Sequence, residues 1–252
     1  MPLLIFSITS FIMVERIRII DSGKASASSH MDRDKELLAN LKKGEAILHL
    51  YEWEGVYPLT YGVFIRPEKF LVSNREELGM DAASRPTGGG FLFHHGDYAF
   101  SLLVSSEHPM HRNSILENYR SVNSLVLKVL NKIFRIEGTL SSDEDSHHSI
   151  ESNCCMAKVS KYDVLMGNRK IGGAAQRTVK QGFLHQGSIF LSGSTTDFYY
   201  KFLLPEVADP IVSEINRCAF FPLGISAPSE DLVMARKEIK EKFIQIFSCE
   251  YL

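Results

Sequence analysis

Neither sign of charge is in excess in this sequence: 28 Lys and Arg stand against 30 Asp and Glu in 252 residues, a formal net charge of −2. With no global basic field, nothing draws the chain to nucleic acid or to an anionic membrane, and neither is expected as a partner. Cysteine is scarce. Cys154, Cys155, Cys218 and Cys249 are spaced neither as a zinc site nor as a disulfide framework, which points to a reducing cytoplasm. No bilayer-spanning run opens the chain: MPLLIFSITSFIMV is apolar but too short to cross a membrane. It also lacks the basic n-region and small-residue cleavage site of a signal peptide. We read residues 1–13 as an N-terminal extension or a mis-assigned start, and 14–252 as a single domain. Repeats and long low-complexity tracts are absent. What is present is 44% hydrophobic residues, enough for a sizeable core.

Alternation predicts a strand over 14–20, stopped by DSG. A serine-rich start, early acids and late leucines predict a helix over 26–41, ended by KKG. AILHLYEW (46–53) and PLTYGVFI (58–65, broken by Gly62) read as strands, and NREELGM (74–80) as a short helix. Phe91 to Phe93, a Gly96-Asp97 turn and a strand through Val104 read as a hairpin. Residues 113–134 carry the clearest helical period, with Ile115, Tyr119, Val122, Val126 and Leu130 near one face. GTLSSDEDSHHSIESN reads as a polar loop, KYDVLMGNRKIGG as strand, turn and strand, and HQGSIFLS (185–192) as a further strand. Residues 196–204 begin a helix, and 229–247 form an amphipathic one. Strands interleaved with long helices, without regular βαβ alternation, argue for an α+β fold with mixed, largely antiparallel sheets flanked by helices.

RPTGGGFLFHH is the first stretch that bears on chemistry. A Walker loop needs Lys-Ser/Thr after its last glycine, and here Phe91 follows. A dinucleotide fingerprint needs a helix next, and here a strand follows. Both readings fail. Bare backbone at Gly88, Gly89 and Gly90 suits an anionic or flat group lying against main-chain N–H groups, with Arg85 as a fixed charge. On the glycines alone, a flexible loop is the better reading. A second stretch, NRKIGGAAQR, sets Lys170 among Gly172, Gly173 and Ala174, small residues that let a ligand lie against it. His185 follows at a strand start, where a lone histidine is more often structural.

RPTGGG…H, RKIGGAAQR and LHQGSI, in this order, resemble the lipoate–protein ligase A and octanoyltransferase family, with the biotinyl/lipoyl protein ligase catalytic fold. The likeness runs from about residue 19 to residue 202. IDSGKASASSHMDRDKELL is similar to the family's opening strand and helix. LHLYEW is similar to its R-x-Y-x-W strand, with His49 where arginine is usual. The resemblance implies that Arg85, Thr87, Gly88, Gly89, Gly90 and His94 line an acyl or adenylate site. It also implies that Lys170 is its central electrophilic residue, and that Gly172, Gly173, Ala174 and His185 belong to the same acyl or adenylate site. CCMAKVSKYD resembles the C-F-A-x-x-S-x-Y-D stretch of the octanoyltransferase branch, which makes Cys155 the thioester-forming nucleophile in that reading. Cys154 has no such support, and His147 and His148 beside the cysteines do not have convincing metal spacing.

Three functions follow as expectations. The first is a lipoate–protein ligase that activates lipoate with ATP and Mg2+, favoured by the intact Gly-Gly-Gly. The second is an octanoyl or lipoyl transferase acting through Cys155, without ATP. The third is a non-catalytic binder of lipoate or lipoyl domains, against which Lys170 argues. Expected partners are lipoyl domains of 2-oxoacid dehydrogenase complexes, the glycine cleavage H protein and acyl carrier protein, steered by a local basic face at Lys158, Lys161, Arg169, Arg177 and Lys180. A biotin ligase is disfavoured, because its Gly-Arg-Gly-Arg loop and N-terminal helix-turn-helix are missing. Ser84 in place of a second arginine, Phe91 in place of a small residue, and only about fifty residues after the matched core depart from the family pattern.

Overall fold

The computed structural model describes residues 17–135, 137–142 and 153–249, so the expected extension at 1–13 and His147 and His148 lie outside them. Among these residues the order is β1 (Arg18–Ala25), α1 (Ala27–Ala39), β2 (Ala46–Trp53), β3 (Tyr57–Tyr61), β4 (Met80–Ser84), β5 (Phe91–Phe93), β6 (Asp97–Ser105) and α2 (Ile115–Phe134). Then come β7 (Gly138–Leu140), β8 (Val164–Met166), β9 (Arg169–Val179), β10 (Gly182–Phe190), α3 (Thr196–Phe202), α4 (Pro205–Cys218) and α5 (Ser229–Cys249). A seven-stranded sheet runs β1-β2-β6-β10-β9-β8-β7, and a three-stranded sheet runs β4-β3-β5. Within them β1–β2 and β3–β4 pair in parallel and the rest antiparallel. The architecture is α+β, with helices flanking the sheets.

β2 shows why. Ala46, Leu48 and Leu50 face one way, into a core with Val122, Val126 and Val129 of α2 and Ile239, Phe243 and Phe247 of α5. Ile47 and Tyr51 face the other way, toward Leu37, Leu38 and Met31 of α1. A strand covered on both sides reads as almost continuously apolar, as AILHLYEW does. The small sheet packs with α3 and α4 around Phe91, Phe93, Phe202 and Ile211 as a separate apolar cluster. Ser26 caps α1, its Oγ accepting from the Ser29 N–H at 3.2 Å. No helix among the described residues is long and apolar enough to cross a membrane.

Five expectations change, the first being that Gly138–Leu140, read as the start of a polar loop, form β7 and pair with β8. DSG does not stop β1: the strand runs through it to Ala25, and a register shift between Asp21 and Lys24 absorbs one extra residue. Residues 74–79 form consecutive turns rather than a helix, closed by Gly79 at φ +87°, and residue 80 already opens β4. The expected hairpin is not one, because β5 pairs with β3 in the small sheet while β6 pairs with β2 and β10 in the large one. The chain changes sheet across His94–Gly96, where Gly96 packs directly against the Ser192 carbonyl. Finally, α4 follows α3 after a break at Leu203 and Leu204, with Pro205 in its first turn.

Candidate active site

The crossover opens a cavity of about 240 Å³ between the two sheets. Met31, Trp53, Leu92, Ala99 and Phe190 give it an apolar wall, and Arg85, His94, Cys155, Lys158 and Lys170 bring polar groups to it. Of the residues singled out in the sequence, Arg85, Gly89, Gly90, His94, Cys155, Lys170, Gly173 and Ala174 line this cavity together. Thr87, Gly88, Gly172 and His185 do not. Thr87 is buried behind the wall and donates to Gln186 Oε1 at 2.7 Å. Gly88 presents its carbonyl to Arg85, and Gly172 packs on the Ser188 carbonyl. His185 points from β10 to the opposite face of the sheet, against Phe100 and Tyr119. Burial there depresses its pKa to about 3, so it is a neutral core group.

Lys170 is buried and fully engaged. Its ammonium donates to the carbonyls of Cys155 and Lys158, each at 2.9 Å, and pairs with Asp163 Oδ2 at 2.8 Å. Those contacts account for all three ammonium protons. Asp163 is in turn held by the Tyr119 hydroxyl at 2.6 Å and the Ser160 N–H at 2.7 Å. The glycine pair is explained in part by this arrangement: a Cβ on Gly173 would stand 2.6 Å from Lys170 Cε. Lys170 therefore ties the Cys155–Lys158 segment to the sheet.

Arg85 ties the glycine loop. Nη2 donates to the Gly88 carbonyl at 3.1 Å and the Gly90 carbonyl at 2.7 Å, and stands 4.0 Å from Cys155 Sγ. Nη1 donates to Thr60 Oγ1 at 2.9 Å. The Thr60 hydroxyl bridges on to His94 Nε2 at 2.7 Å, and His94 Nδ1 meets Asp97 Oδ2, also at 2.7 Å. Arg85, Thr60, His94 and Asp97 thus form one continuous chain of hydrogen bonds along the cavity. Ser188 Oγ donates to the same Asp97 oxygen at 2.5 Å.

The third glycine has a packing reason. A Cβ on Gly90 would collide with the Asn153 carbonyl, and the next residue, Phe91, bridges to Cys154. The cysteine-bearing segment thus lies directly on the glycine run. Cys154 is buried, and desolvation pushes its thiol up to about 12, which leaves it inert. Cys155 is half-buried and lines the cavity.

Sequence reasoning assigned no role to Asp163, Thr60, Asp97, Ser188 or Trp53. Asp163 lay inside the quoted SKYD stretch, but a single carboxylate there carries no signal of its lysine partner. A second network, buried at His49 and Asp34 but exposed at Ser22, joins Ser22 Oγ to His49 Nε2 at 2.8 Å, and His49 Nδ1 to Asp34 Oδ1 at 2.7 Å. Asp34 Oδ2 accepts from Ser101 Oγ at 2.6 Å and Gln186 Nε2 at 2.7 Å. Its distances match a Ser-His-Asp triad, yet none of these three residues lines the cavity. Only Gln186 does, so the network braces the wall. Among the described residues no group of three or more His, Cys, Asp or Glu side chains is placed to hold a metal ion.

Comparison with known proteins gives this geometry a setting. Residues 61–194 match the family model described as the biotin/lipoate A/B protein ligase family. The chain is 32% identical over 196 residues to the octanoyltransferase LipM of Bacillus cereus, covering 74% of this chain and 69% of that protein. It is 31% identical over 201 residues to LipM of Bacillus subtilis, covering 76% and 71%. The fold is similar to that of a bi-partite lipoate protein ligase from Thermoplasma acidophilum, with a TM-score of 0.65 at 20% identity over 93% of this chain and 83% of that one. It is also similar to a lipoate–protein ligase A bound with ATP, with a TM-score of 0.58 at 19% identity over 94% and 95%. The motifs, the two-sheet fold and these likenesses agree: the chain belongs to the biotin/lipoate A/B protein ligase family.

Proposed function

We propose that this protein is an octanoyl-[acyl carrier protein]:protein N-octanoyltransferase acting through a thioester on Cys155. The observation that carries the reading is the placement of Cys155. Its sulfur lies on the acyl-sized cavity beside Arg85 Nη2, and its carbonyl is gripped by Lys170. The octanoyltransferases among the relatives support the same branch.

In the first step the Cys155 sulfur attacks the carbonyl carbon of an octanoyl thioester. The new C–S bond forms as the old one breaks, and the carrier's thiol leaves with a proton. Arg85 donates to the Cys155 sulfur when that sulfur carries negative charge. In the second step the neutral amine of an acceptor lysine attacks the Cys155 thioester. The amide C–N bond forms, the C–S bond breaks, and the amine's proton balances the charge on the released sulfur. Lys170 acts first by positioning, since it holds the backbone on either side of the nucleophile's turn. It can reach the acyl oxygen only by giving up one of its three partners. Arg85 and the glycine loop form the wall beside the reacting carbonyl, and Met31, Trp53, Leu92 and Phe190 receive the chain. The acceptors are lipoyl domains of 2-oxoacid dehydrogenase complexes or the glycine cleavage H protein.

The ligase reading, with lipoate, ATP and Mg2+ as reactants, draws support from the intact Gly-Gly-Gly. That support weakens because Gly90 already has a packing reason, the approach of Asn153. One pair of assays separates the readings: octanoyl label from octanoyl-carrier retained on the protein, and lipoate-dependent ATP–pyrophosphate exchange. The transferase reading expects label on the wild type, none on Cys155→Ala, and no exchange. Exchange together with a fully active C155A variant would overturn it.

A further inference from the structure

The cavity is bordered by two exposed apolar corners. After Gly62, whose N–H donates to the Gly90 carbonyl, the chain turns outward with Val63 50% and Phe64 87% exposed. Val63 N–H holds the Thr87 carbonyl, so this corner is fastened to the glycine loop. On the β9 side, Ala175 lines the cavity and the next residue, Gln176, donates to the Ile115 carbonyl at 3.2 Å. There the start of α2 exposes Ile115 at 60% and Leu116 at 50%. Arg177 spans the two sides, donating to the Pro86 carbonyl at 3.1 Å. Large exposed side chains of this kind carry a solvation cost that a transient partner relieves.

Charge on the same border is one-sided. Segments 62–66, 112–120, 158–161 and 175–177 carry six basic residues and one acidic, in a chain whose net charge is −2. Resting on the transferase reading, we propose that this border is the docking surface for the body of the acyl-accepting domain. That partner is a small folded domain with an acidic face and an apolar spot beside its target lysine. Reach decides between acceptor and donor. A lysine side chain extends only roughly 6 Å from its backbone. To bring its amine to half-buried Cys155, the acceptor's own surface must sit on the cavity's border. An acyl donor carried on a long flexible arm reaches the same sulfur from a body placed further off. The apolar corners therefore serve the acceptor, and the basic residues orient it.

The test uses Phe64→Ser with Ile115→Ser in the full chain. Two readouts are taken: loading of Cys155 by a small octanoyl thioester, and calorimetric binding of an unmodified lipoyl domain. Binding is expected to weaken by about tenfold and the wild-type affinity to fall with added salt, while loading stays within about twofold. Unchanged binding would overturn the proposal, as would an equal loss of loading, since that places these residues in the acyl site. A wild type that binds the domain but never loads Cys155 would fault the transferase reading, and the binding comparison would still decide the docking surface.

Discussion

At Gly90 one missing atom decides whether the nucleophile's segment can dock. A methyl group there meets the Asn153 carbonyl, so Gly90→Ala must push residues 153–155 off the glycine run. We expect a stability loss of about 1–3 kcal/mol in urea unfolding. The rate of Cys155 acylation should fall by about 100-fold, because a displacement of about 1 Å at a reacting atom is enough for that. Lys170 offers a complementary test. Lys170→Met alone leaves buried Asp163 without its cation and should cost about 3–5 kcal/mol. Adding Asp163→Asn removes the stranded charge. The pair should recover part of the melting temperature while acyl transfer stays lost. Recovery of transfer would show that Lys170 is needed only for folding. The lysine is legible in the sequence because small residues surround it, whereas its engagement by Asp163 and two carbonyls depends on how the segment just before its strand folds back onto it.

Among the elements, the β5–β6 crossover matters most to the site. Two short apolar runs around a Gly-Asp pair read as a hairpin, since a period of two says which face is buried and nothing about which sheet a strand joins. Helix α2 is legible for the opposite reason, because its spacing of three and four is local and complete. In α4, the prolines at 205 and 210 hide the helical pattern. The crossover is held by Arg236 of α5, whose Nε donates to the Asp97 carbonyl and Nη2 to the His95 carbonyl, both at 2.8 Å. Asp97 orients His94 and Ser188, so α5 supports the cavity from the far side. Arg236→Gln should cost about 1–3 kcal/mol, the penalty of unsatisfied buried carbonyls. It should also raise KM for the octanoyl thioester by several-fold, with Cys155 alkylation by a small reagent unchanged. An unaltered KM would show that α5 serves the core alone.

Over the whole molecule, the burial that builds the fold also sets its response to acid. His185 is neutral in the folded state with its pKa near 3, and takes up a proton near 6.5 once unfolded. Its folded pKa is depressed, so its contribution is intact above 6.5 and is lost as pH falls from 6.5 toward 3. That loss approaches about 1.4 kcal/mol per pH unit from this group alone. His30 and His95 are also lowered, by burial first, and add in the same direction. His185→Phe should flatten the pH dependence of unfolding free energy between 6.5 and 5 relative to wild type. The family and its motifs could be read from RPTGGG, RKIGGAAQR and LHQGSI. The choice of branch could not, because it turns on whether the glycines face a nucleotide or the cysteine-bearing segment packed on them.

That choice rests on one bond. Incubating the protein with octanoyl-loaded acyl carrier protein and recording its intact mass, beside Cys155→Ala, tests it directly. The account expects the mass of one octanoyl group on the wild type, discharged when a lipoyl domain is added, and none on the variant. An unacylated wild type whose lipoyl-domain modification requires ATP and survives in C155A would contradict it.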